Sequence, residues 1–172
     1  MSEHAIGLKT FKMGDVAEDG SMGTDLTALP DTVRGTVKFT ASEPSQTKYW
    51  VNNKPRPVEA LNEAEVTEQI VFEFYDATPD VIAGFFGGTS TAEVADTSGA
   101  KYSAASAIPQ IKQSFEAVTK NGVTLSITRG LLAPSIEWDL NDNGIFKGKV
   151  TVLVLQPEND DADAWSYELP LS

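Results

Sequence analysis

Residues 120–130 read KNGVTLSITRG, and three apolar side chains, Val123, Leu125 and Ile127, alternate there with Thr124, Ser126 and Thr128. A period of two sends successive side chains to opposite faces of an extended chain, so the stretch predicts a strand with one covered and one wet face. Asn121-Gly122 stands at its start. Both residues tolerate positive φ, and the pair predicts a hairpin joining residues 114–119 to 123–128. The same period recurs on either side. In DTVRGTVKFT (31–40), Val33, Gly35, Val37 and Phe39 share a face opposite Arg34, Thr36, Lys38 and Thr40. Residues 64–75 place Val66, Ile70, Phe72 and Phe74 on one side. In KGKVTVLVLQP (147–157), Val150, Val152 and Val154 face one way, Leu153 and Leu155 the other. That strand is expected to be covered on both faces. Shorter strands are predicted near residues 6–13, 48–52, 108–119, 135–140 and 165–169. Asp142-Asn143-Gly144 and the acidic PENDDADA (157–164) read as turns. The pattern predicts a mainly β fold, a β-sandwich or barrel of antiparallel strands.

One segment reads as a helix and flanks the sheet. In ATPDVIAGFFGGT (77–89), Thr78 can cap the N-terminus, Pro79 suits the first helical position, and Asp80 complements the helix dipole. Val81, Ile82, Phe85 and Phe86 make an apolar stripe that needs a sheet beneath it, and Gly87 supplies the stop. Two connections lack periodicity: residues 14–30 and the small, polar residues 89–100. Ordering the first costs about 1–2 kcal/mol of backbone entropy per residue. Its apolar side chains, Val16, Met22, Leu26 and Leu29, offset at most about 1.5–3 kcal/mol each. Residues 14–30 are therefore expected to order only against a neighbouring subunit, as an arm, or to stay mobile.

A chain of 172 residues fits a single domain, residues 1–172, and 41% hydrophobic residues suffice for a core. No apolar run is long enough to span a membrane, and the first residues lack the basic-then-apolar pattern of a secretory signal. Synthesis in a cytosol, without export by the general route, is expected. There is no cysteine, which excludes disulfides, thiolate nucleophiles and cysteine zinc sites, and the one histidine, His4, lies in the N-terminal tail. Triads built on an ordered imidazole are thereby disfavoured. The net charge of −12 opposes tight wrapping of nucleic acid, and it is distributed in blocks. Residues 61–100 carry eight acids and no base; residues 32–60 and 101–130 each net +3. Such blocks can meet head to tail between copies and fix their register, or simply mix on one folded surface.

Chemical motifs are sparse. Ser-x-x-Lys occurs at Ser45–Lys48 and Ser98–Lys101, without the helix that would join the two side chains. Asp139-Leu140-Asn141-Asp142-Asn143-Gly144 opens like a calcium loop, but the twelfth position is Val150 in place of a bidentate glutamate. Glu158, Asp160, Asp161 and Asp163 could together hold a hard cation, but the stretch reads first as a solvated turn. Gly87-Gly88-Thr89 follows a helix instead of opening one, so it is no phosphate cradle. Trp50, Trp138 and Trp165, with Tyr49, Tyr102 and Tyr167, serve either as core and interface anchors or as a sugar-stacking platform. No enzyme and no cofactor or metal is expected.

The order of these pieces resembles the tail tube (major tail) proteins of long-tailed bacteriophages. The resemblance rests on GDVAEDGSMGTDLTALPDTVRGTVKFT (14–40), EVTEQIVFEFYDATPDVIAGFFGGT (65–89), KNGVTLSITRGLLAPSIEWDL (120–140) and GIFKGKVTVLVLQP (144–157). It runs from about residue 11 to 169, and the plain stretch 89–107 departs from it. It implies a tail-tube-like sandwich whose copies close into hexameric rings that stack into a hollow tube. DNA would pass through that tube without specific binding, and an acidic wall suits such passage. The implied partners are the chain itself, a tape-measure protein, a tail terminator, a baseplate and, if the tail contracts, a sheath. The implied location is the virion tail, assembled in the cytoplasm of a bacterial host. The self-assembly interface is assigned to Asp15, Leu26, Leu29, Tyr49, Trp50 and Val51. Other readings stay open: a capsid decoration protein, the tube subunit of a contractile secretion system, or a carbohydrate-binding β-sandwich.

Overall fold

The computed structural model describes residues 7–63, 66–76, 78–141 and 144–170. His4, Ala77, Asp142 and Asn143 fall outside them. The elements are β1 (Leu8–Asp15), β2 (Thr27–Ala28), β3 (Lys38–Ala41), β4 (Gln46–Tyr49), β5 (Glu59–Asn62), β6 (Glu68–Phe74), α1 (Pro79–Phe86), β7 (Thr89–Thr91), β8 (Lys101–Ser103), β9 (Lys112–Thr119), β10 (Thr124–Trp138), β11 (Phe146–Val154) and β12 (Trp165–Glu168). Every named strand pairing is antiparallel. The fold is mainly β with one short helix among the described residues, as the alternation predicts.

The main sheet runs β2-β1-β9-β10-β11-β6-β3, with β12 also on β10. The hairpin between β9 and β10 forms at Asn121-Gly122 as expected: Gly122 has φ +87°, and the Thr119 amide donates to the Val123 carbonyl. Strand β10 is the hinge of the architecture. Its first half pairs with β9 on one side and β12 on the other; its second half pairs with β11. Strand β12 continues the line of β11, because Val154 lies opposite Gly130 and Trp165 opposite Ile127. The acidic turn 155–164 is thus an excursion from one continuous ladder, closed by Leu155 N–H to Arg129 O and Thr128 N–H to Ala164 O.

The sheet curls so that β1 and β6 face one another, with the Phe11 and Phe72 rings edge to face at 5.0 Å. Phe115, Phe74, Phe85 and Phe146 extend this aromatic core, and Ile70, Ile127, Val150 and Val152 fill it. Helix α1 closes one end as a lid. Ile82 and Phe85 are buried, Phe85 contacts Phe72 and Phe74, and Gly87 ends the helix with φ +67°. The Thr78 side chain makes no capping bond; its own amide is held by Asp76 instead. Gly148 is a close-approach position: a Cβ there would lie 2.2 Å from the Phe74 ring.

Several sequence expectations are corrected. The two strands expected at 123–128 and 135–140 are one fifteen-residue strand. A register shift between Ile127 and Gly130 turns Thr128 inward, where it is buried and donates to the Asp163 carbonyl, so it leaves the wet face assigned to it. The strand expected over 31–40 is confined to Lys38–Ala41, because Gly35 adopts φ +83°. Strand β11 is covered on one face only: Val150 and Val152 are fully buried, whereas Leu153 is exposed. The polar stretch 89–100 opens as β7, which pairs with β8 through Thr89–Ser103 and Thr91–Lys101.

Candidate assembly surface

Strands β4 and β5 form a separate two-stranded ribbon, in the register Gln46–Asn62 to Tyr49–Glu59, and every one of their eight residues is exposed. The local chemistry explains why a ribbon forms here. Backbone bonds from Val58 N–H to Tyr49 O and Glu63 N–H to Ser45 O extend the ladder at both ends. At its root the Glu63 carboxylate accepts from Thr47 Oγ1 at 2.6 Å and Ser45 Oγ at 2.7 Å. The Thr47 hydroxyl first, then that of Ser45, holds the Glu63 carboxyl below its ordinary value of 4.5. Gln46 Nε2 donates across the strands to Asn62 Oδ1. At the far end, residues 50–57 read WVNNKPRP, in which Pro55 and Pro57 donate no backbone bond.

The ribbon gathers three of the six assigned interface residues. Tyr49, Trp50 and Val51 all lie exposed on it, with Trp50 at 61%. The other three lie elsewhere. Asp15 ends β1 and accepts from Gln113 Nε2 at 2.9 Å. Leu29 packs partly against the core, and its amide donates to Phe11 O. Leu26 is half-buried against Gly14.

Residues 14–30 are expected to order only against a neighbouring subunit or to stay mobile; in the single chain they make contacts of their own. They fold back on their own sheet: Gly23 N–H donates to Ser114 Oγ at 2.9 Å, Gly20 N–H to Ala17 O, and β2 pairs with β1. Side-chain burial alone undervalued the loop, because backbone hydrogen bonds and a buried serine supply much of its order. Gly20 abuts Glu158 and Asn159, so two acidic loops lie side by side. In them the Ser21 hydroxyl, then its amide, lowers the Asp19 carboxyl, and Glu158 pairs with Arg129.

The sequence reading missed further exposed apolar groups: Val58 and Leu61 on the ribbon, Ile108 beside α1, and Ile136, Leu140 and Ile145 towards the β10–β11 end. A groove of about 560 Å³ lies between the end of α1, β8, residues 104–110 and the middle of β10. The tryptophans occupy three unrelated places. Trp50 is on the ribbon, Trp138 packs edge to face on Phe146, and Trp165 packs on Phe39. Ser45 of the first Ser-x-x-Lys donates to Glu63, away from any helix. No group of three or more His, Asp or Glu side chains is placed to hold a metal ion among the described residues. No described helix is long and apolar enough to cross a membrane.

No family model matches the sequence, and no curated protein does either. Among solved structures, a chain from the tail of an empty GTA particle, computed with helical refinement and C6 symmetry, has a TM-score of 0.47 to this one. The two are 13% identical over 92% of this chain and 94% of that one.

Proposed function

We propose that this chain is a structural, non-enzymatic subunit that self-assembles into stacked rings, hexameric in the simplest form, building the tail tube of a phage-like virion. The observation that carries the reading is the β4–β5 ribbon. An isolated two-stranded hairpin is marginal in water, and this one exposes Tyr49, Trp50, Val51, Val58 and Leu61 together. Such a ribbon gains its stability by lying on a partner. The sequence resemblance to tail tube proteins makes that partner another copy. Tyr49, Trp50 and Val51 are then contact residues between subunits, and Asp15, Leu26 and Leu29 form a second contact zone along the β1–β2 edge. The net charge of −12 suits a conduit that DNA traverses without binding. Tape-measure, terminator and baseplate proteins, with a sheath where the tail contracts, complete the set of partners. Assembly takes place in the host cytoplasm and the product resides in the virion tail.

The carbohydrate-binding reading loses its platform, because Trp50, Trp138 and Trp165 are held in separate environments. Negative-stain microscopy of the purified protein across a concentration series tests the proposal: rings or tubes are expected. A particle that stays monomeric at every concentration and binds a glycan overturns it.

A further inference from the structure

Strand β10 carries one residue more than β9 between two points of their shared ladder. Ile127 lies opposite Phe115 and Gly130 opposite Gln113, so Thr128 and Arg129 together face Ser114. Such a bulge re-aims the side chains it carries. We infer that this bulge is a keystone that joins the loop of residues 16–26 and the acidic turn 155–164 into one cooperative unit, which opens and closes as a whole. The two bulge residues hold both ends of the turn through the backbone. The Leu155 amide donates to Arg129 O at 2.9 Å, and the Thr128 amide donates to Ala164 O at 3.1 Å. Their side chains hold the turn between those ends. Thr128 Oγ1 donates to the Asp163 carbonyl at 2.6 Å, and the Arg129 guanidinium reaches Gln156 O at 3.2 Å and the Glu158 carboxylate.

The same bulge also holds the other loop. Thr128 O accepts from Ser114 Oγ at 2.6 Å, and Ser114 Oγ accepts in turn from Gly23 N–H at 2.9 Å. A relay from Gly23 through Ser114 and Thr128 to Asp163 therefore crosses from one loop to the other in three hydrogen bonds. Ser114 and Thr128 are both buried, so opening one loop alone strands a buried polar group that still faces the other. A second contact bypasses the relay. Gly20 is buried at φ +78°, and a Cβ on it would fall 2.7 Å from the Asn159 amide nitrogen. Half-open states lose both links without freeing both loops, so the pair behaves as one local unfolding unit. The inference is independent of the assembly reading. By linkage, a partner that binds the closed form of either loop stabilises the other to the same degree.

Glu18 and Glu158 stand exposed, one in each loop, so a glutamate-specific protease reads both at once. Glu73 and Glu116, inside β6 and β9, report unfolding of the whole chain in the same digest. Thr128→Val keeps the shape of the side chain and removes the hydroxyl that bonds Asp163 in the acidic turn. It should speed cleavage at Glu158 and at Glu18 by the same factor, about tenfold, and leave Glu73 and Glu116 slow. Acceleration at Glu158 alone overturns the coupling. Native-state amide exchange of the unaltered protein decides the matter should this variant unfold throughout. Across a denaturant series the Gly23, Thr128 and Leu155 amides should share one opening free energy, lower than that of the β11 amides in the core. Separate opening energies for Gly23 and Leu155 overturn the inference, and so does exchange of all three only through global unfolding.

Discussion

Replacing Ser114 by alanine should release the loop of residues 16–26 and weaken the fold as a whole. Ser114 is fully buried on β9, and its hydroxyl serves two groups. It donates to the Thr128 carbonyl at 2.6 Å, at the point where β10 shifts register, and accepts from Gly23 N–H at 2.9 Å. The methyl group of alanine leaves both without this partner. An unsatisfied buried group costs about 1–3 kcal/mol, so the pair amounts to roughly 2–4 kcal/mol once partial relaxation is allowed. For a domain of this size each kcal/mol moves Tm by about 2–4 °C, giving a loss of roughly 4–16 °C by scanning calorimetry. The loss has a local signature too. Cleavage at Glu18 by a glutamate-specific protease should accelerate at least tenfold under conditions where the rest of the chain stays folded. A Tm within a degree or two of the parent, with unchanged cleavage at Glu18, would refute the account of how this loop is held.

Gly148→Ala drives a methyl into the Phe74 ring and should cost about 1–3 kcal/mol, read as a lower urea midpoint with an unchanged slope. Phe85→Ala removes the ring that ties α1 to Phe72 and Phe74, and should cost about 3–5 kcal/mol in the same assay. Because the folded state lowers the Glu63 carboxyl, its contribution to the ribbon is present above the unfolded value and is lost as pH falls through the folded one. Amide exchange of residues 46–62 in the monomer should therefore gain relative to the core as pH falls below that ordinary value of 4.5 and on through the folded one. Glu63→Gln should flatten that dependence, and an unchanged pH profile in this variant counts against the root clamp.

The two-residue period made most of the sheet legible, because burial on one face of a strand imposes it directly. Ile70, Phe72 and Phe74 are buried as their alternation predicts, and the Asn121-Gly122 turn falls where its dipeptide requires. The helix was legible from Pro79, the apolar stripe and Gly87. What the period hides is any local change of phase. Thr128 sits in a run of alternating polar residues, yet the register shift beside it buries it, and a shift leaves no trace in the order of apolar and polar side chains. The continuity of β11 with β12 is hidden for a related reason, since a ten-residue excursion separates segments that lie on one line. Order in residues 14–30 depends on Ser114, a residue of a distant strand.

The candidate surface was half legible, and the missing half follows from the physics of the hydrophobic pattern. A side chain covered by its own chain and one covered by a second copy are selected by the same transfer free energy, so both are written with the same residues. Strand β11 illustrates this. Its two apolar faces predict cover on both sides, and the single chain covers Val150 and Val152 while leaving Leu153 at 36% exposure. Tyr49, Trp50 and Leu61 belong to the same class: strand-forming, apolar and without cover in one copy. In an assembled tube the exposed members of these alternating runs should lose accessibility together, while exposed apolar groups remote from every contact keep theirs. Hydroxyl-radical footprinting of assembled against monomeric protein measures this. Protection of Tyr49 and Trp50 with unaltered labelling of Tyr167 would assign the contact to the ribbon; equal protection of all three would place it across the whole face of the sheet.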